Sequence, residues 1–193
     1  MITLKEVEPV HDIGALAQMA RDIWFEYWPQ FIGEAQTRYM VDQFQSLEAL
    51  ERDIIENGYE YFFVLDDTGK RVGYVGILRE YFANDPSDPR AHKHGSAITK
   101  LYADRLFISK IYLLAEERGK HYASQIIARL VDLARKHDLA GMYLTVNKGN
   151  DLGIRAYKGN DFEVIEAVES DIGEGFVMDD YIMARAVQAG TAL

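Results

Sequence analysis

The chain opens on a short strand-like stretch at residues 3–7, and from His11 its apolar residues take up a helical period. Ile13, Leu16, Ala17, Ala20, Ile23, Trp24 and Tyr27 recur at spacings of three and four, which places them on one helix face. Asp12 reads as the N-cap of that helix and Pro29 as its stop. Helical patterning resumes over residues 34–44 and over 47–56, with Leu50, Ile54 and Ile55 inward and Asn57-Gly58 as the terminus. The period then becomes that of strands. YEYFFVL (59–65) and RVGYVGIL (71–78) flank the turn Asp66-Asp67-Thr68-Gly69 and predict an antiparallel hairpin.

Residues 84–96 are polar and hold two prolines, so they read as a long loop of the kind that is often functional. LFISKIYLL (106–114) is the most apolar strand, and it runs into a helix over about 120–137. Ala123, Ile126, Ile127, Leu130, Leu133, Ala134 and His137 form that helix's apolar stripe. GMYLTV (141–146) is a further strand, so strand, helix and strand read as a right-handed crossover with parallel strands. A short helix at 151–158 precedes two closing strands, 162–168 and 176–186, joined through 170–175. The expected class is therefore α/β, a mixed sheet with helices on both faces, in a single domain over residues 1–193.

Charge and composition narrow the function. There are 21 Lys and Arg against 31 Asp and Glu, a net charge of −10, which argues against phosphate-backbone recognition and so against nucleic acid. The same charge suits a cationic partner, or solubility alone. No apolar run reaches the ~18 residues of a membrane span, and the first ten residues lack the apolar core of a signal peptide. The absence of cysteine excludes disulfides and Cys-based zinc or nucleophile chemistry, and fits a cytoplasmic location.

The sharpest local feature is the junction after Leu114. A buried strand ends, Arg118-Gly119-Lys120 follows, and a helix begins. Helix-start amides are unpaired and lie at the positive end of the dipole, so a glycine turn with flanking cations there is suited to a phosphate or diphosphate. The turn has neither the ATPase phosphate loop nor the dinucleotide fingerprint. An ordinary helix start with exposed Arg and Lys is the plain alternative.

Arg118-Gly119-Lys120-His121-Tyr122-Ala123 resembles the acyl-CoA signature Gln/Arg-x-x-Gly-x-Gly/Ala of the GCN5-related N-acetyltransferase (GNAT) family. Leu144-Thr145-Val146-Asn147-Lys148-Gly149-Asn150 and Ala156-Tyr157-Lys158-Gly159-Asn160-Asp161-Phe162 are similar to the family's V-N-x-x-N … A-Y-x-x-x-G-F block. Residues 61–64 and 178–183 further resemble the branch of PaiA-like polyamine acetyltransferases. The resemblance implies a splayed central sheet, an acyl-CoA-binding core over about 105–162 and C-terminal strands over about 162–187. It implies acetyl-CoA as cosubstrate, no metal, and a small amine, such as a polyamine, as acceptor. A homodimer is compatible with it. The cofactor arm would run along Ile111, Tyr112 and Leu113, and the diphosphate would sit on Arg118, Gly119, Lys120, His121, Tyr122, Ala123 and Ser124. Asn150 would bond the arm, or cap the helix that follows it, or both. Tyr157 would touch the cofactor and protonate the departing thiolate.

Two glycines of the family pattern are replaced, by His121 and Asp161. A right-handed helical conformation at 121 would accept His, whereas Asp at 161 suits a left-handed one. The family often uses a glutamate on this strand or a water wire as base, and neither Ser109 nor Lys110, which precede Ile111, is an obvious base. Asp104, Glu26 and Asp179 are alternatives, and none is assigned. Glu116-Glu117 read as a solvated pair, and His92/His94 as solvated side chains without the support a metal needs. Trp24 and Tyr27 belong to the helix stripe, whereas Trp28 and Phe31 are candidates to line an acceptor pocket. Two other functions compete: a silent acyl-CoA-binding module that has lost its base, and a partner-binding protein acting through its acidic surface.

Overall fold

The structure, a computed structural model, describes residues 1–79 and 104–187. Its contacts form two compact units. One holds residues 1–78 and 110–126, and the other the described residues of 79–109 and 127–187. The expected loop at 84–96, with His92 and His94, lies outside the described residues.

The first unit contains β1 (Thr3–Glu6), α1 (Pro9–Tyr27), α2 (Pro29–Phe44), α3 (Leu47–Ile55), β2 (Glu60–Leu65) and β3 (Arg71–Arg79, up to Leu78), with the second half of β4 (Arg105–Leu113). Its strands lie in the order β1-β2-β3-β4. β1 and β2 run antiparallel from Thr3↔Leu65 to Glu6↔Phe62, and β2 and β3 antiparallel from Glu60↔Ile77. The residues that share a face across this hairpin, Tyr61, Phe63 and Tyr74, meet Leu16, Ala20, Ile23 and Leu50 in one core. The apolar periodicity of α1 is thus its packing face. Ile55, expected inward, is exposed, and Ala49 with Leu50 carries the burial of α3 instead.

α1 begins before Asp12. Pro9 occupies its first turn, where the missing N–H costs nothing, and Glu8 precedes it without a side-chain cap. Asp12 is instead buried inside the first turn, accepting bonds from Arg71 (2.7 Å) and Lys5 (3.3 Å). Burial pushes its carboxyl up, but the Glu8 N–H, Lys5 and Arg71 outweigh this and hold it below the usual range. Pro29 ends α1 as expected and starts α2, which kinks at Gly33.

The second unit contains the first half of β4, β5 (Gly141–Asn147), a helix at Asp151–Lys158, β6 (Glu163–Gly173) and β7 (Phe176–Ala186), in the strand order β4-β5-β7-β6. β4 and β5 pair parallel from Arg105↔Gly141 to Ile108↔Leu144. Parallel strands need a crossover, and α4 (Tyr122–Lys136) supplies it, burying Ile126, Ile127, Leu130 and Ala134. The helix Asp151–Lys158 is α5. β5 is antiparallel to β7, and β7 to β6, giving a mixed sheet as expected. The connection at 170–175 is tighter than the sequence implies. Only Glu174 and Gly175 separate the strands, both at positive φ (54° and 81°), the two-residue turn whose twist matches a hairpin.

Candidate active site and relatives

The site is assembled outward from β4. Its inward side chain Lys110 is buried, with Nζ 2.5 Å from the Tyr61 hydroxyl and 3.4 Å from Asp53 Oδ2. Tyr61 in turn donates to Asp53 at 2.8 Å. Burial pulls the Lys110 ammonium below its usual range, against Asp53, while burial and Asp53 together push the Tyr61 phenol well up. These bonds fasten β4 to β2 and α3. Sequence reasoning left Lys110 without a role; its inward place in an apolar strand was the available signal.

Ile111, Tyr112 and Leu113 follow, each half-buried. Tyr112 packs on Trp24 (5.7 Å between ring centroids) and Tyr74 (5.4 Å). β3 approaches so closely here that a Cβ on Gly73 would lie 2.2 Å from the Tyr112 carbonyl oxygen. Leu114 N–H then donates to Val72 O at 3.0 Å and closes the pair.

Past Leu114 the chain makes one 3-10 turn (Ala115–Glu117) and reaches the glycine turn at 118–121. Gly119 has φ 77°, and a Cβ there would meet nothing within 4 Å, so the turn is open on that side. His121 has φ 59°, a left-handed conformation rather than the right-handed one expected. The first bond into α4 runs from Gln125 N–H to His121 O at 3.3 Å. The amides of Tyr122 and Ala123 precede it, at positions a helix cannot satisfy from within.

The cations flanking this turn are not free charges. Arg118 forms a two-pronged pair with Glu26 (2.5 and 3.2 Å), donates Nε–H to Leu113 O (3.2 Å), and stacks 4.5 Å over the Tyr27 ring. Lys120 meets Glu117 at 2.8 Å, and Lys70 meets the same carboxylate at 2.7 Å. Glu117, expected to be solvated, is buried, and its bonds to Lys120 and Lys70 hold its carboxyl below the usual range. Glu116 remains on the surface, 3.7 Å from Lys70. Around the turn, Lys70, Arg118 and Lys120 are thus matched by Glu26, Glu116 and Glu117. An anion placed at this turn would meet the backbone amides and the helix dipole rather than a net positive side-chain charge.

Trp28 is buried and stacked on Trp24 (5.1 Å), so it belongs to the core and not to a pocket wall. Phe31, at 38% exposed, is the aromatic of that cluster that stays on the surface.

In the second unit, Asn150 caps α5, its side-chain oxygen accepting from Gly153 N–H at 2.9 Å. Tyr157 is half-buried on α5, edge-on to Phe162 at 5.8 Å. Its carbonyl accepts from Asn160 (2.9 Å) and Phe162 (3.1 Å), which folds the chain back under the helix. Asp161 sits in that return with φ 64°, left-handed as expected, and pairs with Arg185 at 3.4 Å.

A family model described as "Acetyltransferase (GNAT) family" matches residues 18–162. The chain belongs to the GNAT acetyltransferase family. The GNAT fold is also found among solved structures. The PaiA N-acetyltransferase of Thermoplasma acidophilum, solved with coenzyme A, is similar at TM-score 0.69 and 16% identity, over 96% of this chain and 99% of that one. The spermidine N-acetyltransferase of Vibrio cholerae, solved with CoA and spermine, is similar at TM-score 0.62 and 20% identity, over 96% and 95%. A GNAT structure from Rhodopseudomonas palustris reaches TM-score 0.70 at 11% identity, over 95% and 94%. No curated protein sequence matches the chain.

A GNAT acetyltransferase must move the acceptor's proton, and the three carboxylates named from sequence are all ion-paired. Glu26 pairs with Arg118, Asp179 with Lys148, and Asp104 with Arg105 (3.8 Å). Asp180 was missed. It lies on β7 opposite Asn147, is 9% exposed, and its Oδ1 has no hydrogen-bond partner. Burial pushes its carboxyl up to about 6, helped by Asp179 and opposed by Asn147 and Lys148. An acidic residue at an inward register position was the only sequence signal. Among the described residues, no group of three His, Asp or Glu is placed to hold a metal ion, and no helix is long and apolar enough to cross a membrane.

Proposed function

We propose that the protein transfers the acetyl group of acetyl-CoA to a primary amine of a small cationic acceptor, working as a single domain over residues 1–193. The observation that carries this is the junction of β4 and α4: in a chain of the GNAT family, the stretch that resembles the acyl-CoA signature forms a left-handed, open-sided turn leading into a helix start, with His121 where the signature has glycine. The cosubstrate supplies an activated acetyl thioester. Backbone groups of Ile111, Tyr112 and Leu113 hold its arm, and Arg118, Gly119, Lys120, His121, Tyr122, Ala123 and Ser124 hold its diphosphate. Asn150 adds a bond to the arm while capping α5.

The acceptor nitrogen attacks the thioester carbonyl, the carbon–nitrogen bond forms, and the carbon–sulfur bond breaks. Tyr157 gives its phenolic proton to the departing sulfur. A phenol of pKa ~10 is protonated at neutral pH and able to donate. The nitrogen's own proton leaves to a carboxylate or water. A cationic acceptor is supported by the net charge of −10 and by the spermine bound in the Vibrio cholerae relative.

A silent acyl-CoA-binding module is the second reading, favoured by the strand before Ile111, which offers only Ser109 and the buried Lys110. A thiol-release assay with acetyl-CoA and spermidine, neutral amino acids, acidic amino acids and a lysine peptide separates them. Preference for spermidine is the expected result. Preference for an anionic acceptor contradicts the acceptor class, and CoA binding without release from any amine favours the silent module.

A further inference from the structure

Arg118 is held at three points, and these differ in how easily they are given up. The Nε–H bond to Leu113 O and the stack on Tyr27 tie the guanidinium to the end of β4 and the end of α1. Its two terminal nitrogens are occupied by Glu26, whose side chain is 45% exposed. Glu117 is the opposite case, with a side chain 5% exposed and two lysines on one carboxylate. An anion arriving at the turn can therefore displace Glu26 at small cost, because that carboxylate has water to go to and the guanidinium is already oriented. A diphosphate offers the same two-pronged match with greater charge.

We propose that Glu26 is an exchangeable counter-ion of Arg118: the diphosphate of acyl-CoA displaces it, and the released carboxylate becomes an anionic contact for a cationic acceptor. This rests on the reading of residues 118–124 as the diphosphate cradle. Glu26 sits one residue before Tyr27 near the end of α1, and Tyr27 packs on Phe31, the exposed aromatic of the cluster. Cosubstrate and amine are then coupled through one side chain. In the free protein the carboxylate is neutralised, and with the cosubstrate bound it is available to an ammonium group.

Calorimetry on the full chain tests this with CoA and spermidine as probes. Wild type, Glu26→Gln and Glu26→Ala are titrated with CoA, and each is titrated with spermidine in the presence and absence of saturating CoA. Exposed ion pairs contribute little, so removing the competitor is expected to tighten CoA binding by about two- to fivefold in both variants. Spermidine is expected to bind wild type more tightly when CoA is present, and this enhancement is expected to vanish in both variants. Unchanged or weaker CoA binding by both variants, with unchanged thermal unfolding, overturns the proposal and makes Glu26 a strut for Arg118. Wild type that fails to bind CoA defeats the cradle reading and the proposal with it, a result distinct from a difference between variants.

Discussion

His121 and Asp161 hold the same backbone conformation, φ 59° and 64°, at the two places where the family pattern carries glycine. Both positions are left-handed in this chain although neither residue is glycine. His and Asp are among the few side chains that visit this region, and the strain is of order 1–2 kcal/mol. At 121 the conformation begins α4, and at 161 it turns the chain from α5 into β6.

Restoring glycine is therefore expected to relieve strain without altering the turn. His121→Gly should be neutral or stabilising by up to about 1 kcal/mol, and His121→Val destabilising by about 1–2 kcal/mol or more. Asp161→Gly should behave like the first, since its side chain is 84% exposed and its pair with Arg185 contributes little. Urea unfolding of the three variants checks this; equal stability of His121→Gly and His121→Val would show that φ at 121 is not left-handed.

Gly73→Ala is expected to act on β4 from the neighbouring strand. The new methyl would collide with the Tyr112 backbone, which the Leu114 N–H bond to Val72 O holds against β3. A destabilisation of about 1–3 kcal/mol is expected. CoA affinity should fall as well, because the displaced carbonyl belongs to the strand proposed to hold the cofactor arm. Unfolding and calorimetry read the two effects separately.

Much of this is legible in the sequence. The order of strands and helices, the β4–α4 junction and the cap by Asn150 follow from periodicity and from residues whose chemistry is local. Asp12 was misassigned because a buried Asp one turn inside a helix has the same sequence signature as an N-cap, and its partner Arg71 is distant in sequence. Glu117 was read as solvated for the same reason, since Lys70 is supplied by another element, and the pairing of Arg118 with Glu26 was invisible because Glu26 lies on α1. Trp28 stacks on Trp24 one helical turn earlier, so its burial extends the α1 stripe past Tyr27, where the sequence reading ended it. Asp180 offered only its inward register position, because its perturbation comes from burial in the sheet.

That carboxyl gives a pH signature. Its pKa is raised in the folded protein to about 6, so the folded state binds the proton more tightly than the unfolded chain. The associated stability is present below the unfolded value near 4 and is lost as pH rises through about 6. Asp180→Asn should remove this loss and make the protein about 2–3 kcal/mol more stable relative to wild type at pH 8 than at pH 4. Denaturant unfolding across that range measures it, and parallel pH profiles for the two proteins would contradict it.

Tyr157→Phe keeps the ring that meets Phe162 and removes the hydroxyl. Loss of a positioned acid is expected to lower kcat by ~10²–10⁴-fold with CoA affinity nearly unchanged. Full kcat under conditions where chemistry limits the rate would make Tyr157 a packing residue, and loss of CoA binding would make it a cofactor-holding one.

The most direct measurement follows both products at once: free CoA thiol and acetylated amine, from acetyl-CoA and spermidine, with wild type and Gly119→Val. A side chain at Gly119 has room but must adopt φ 77°, so the substitution distorts the turn itself. Wild type is expected to form the two products in equal amounts, and Gly119→Val to lose product formation together with CoA binding while remaining folded. Thiol release without acetylated amine, or unchanged CoA binding in a folded Gly119→Val, would contradict acetyl transfer from a cosubstrate held at this turn.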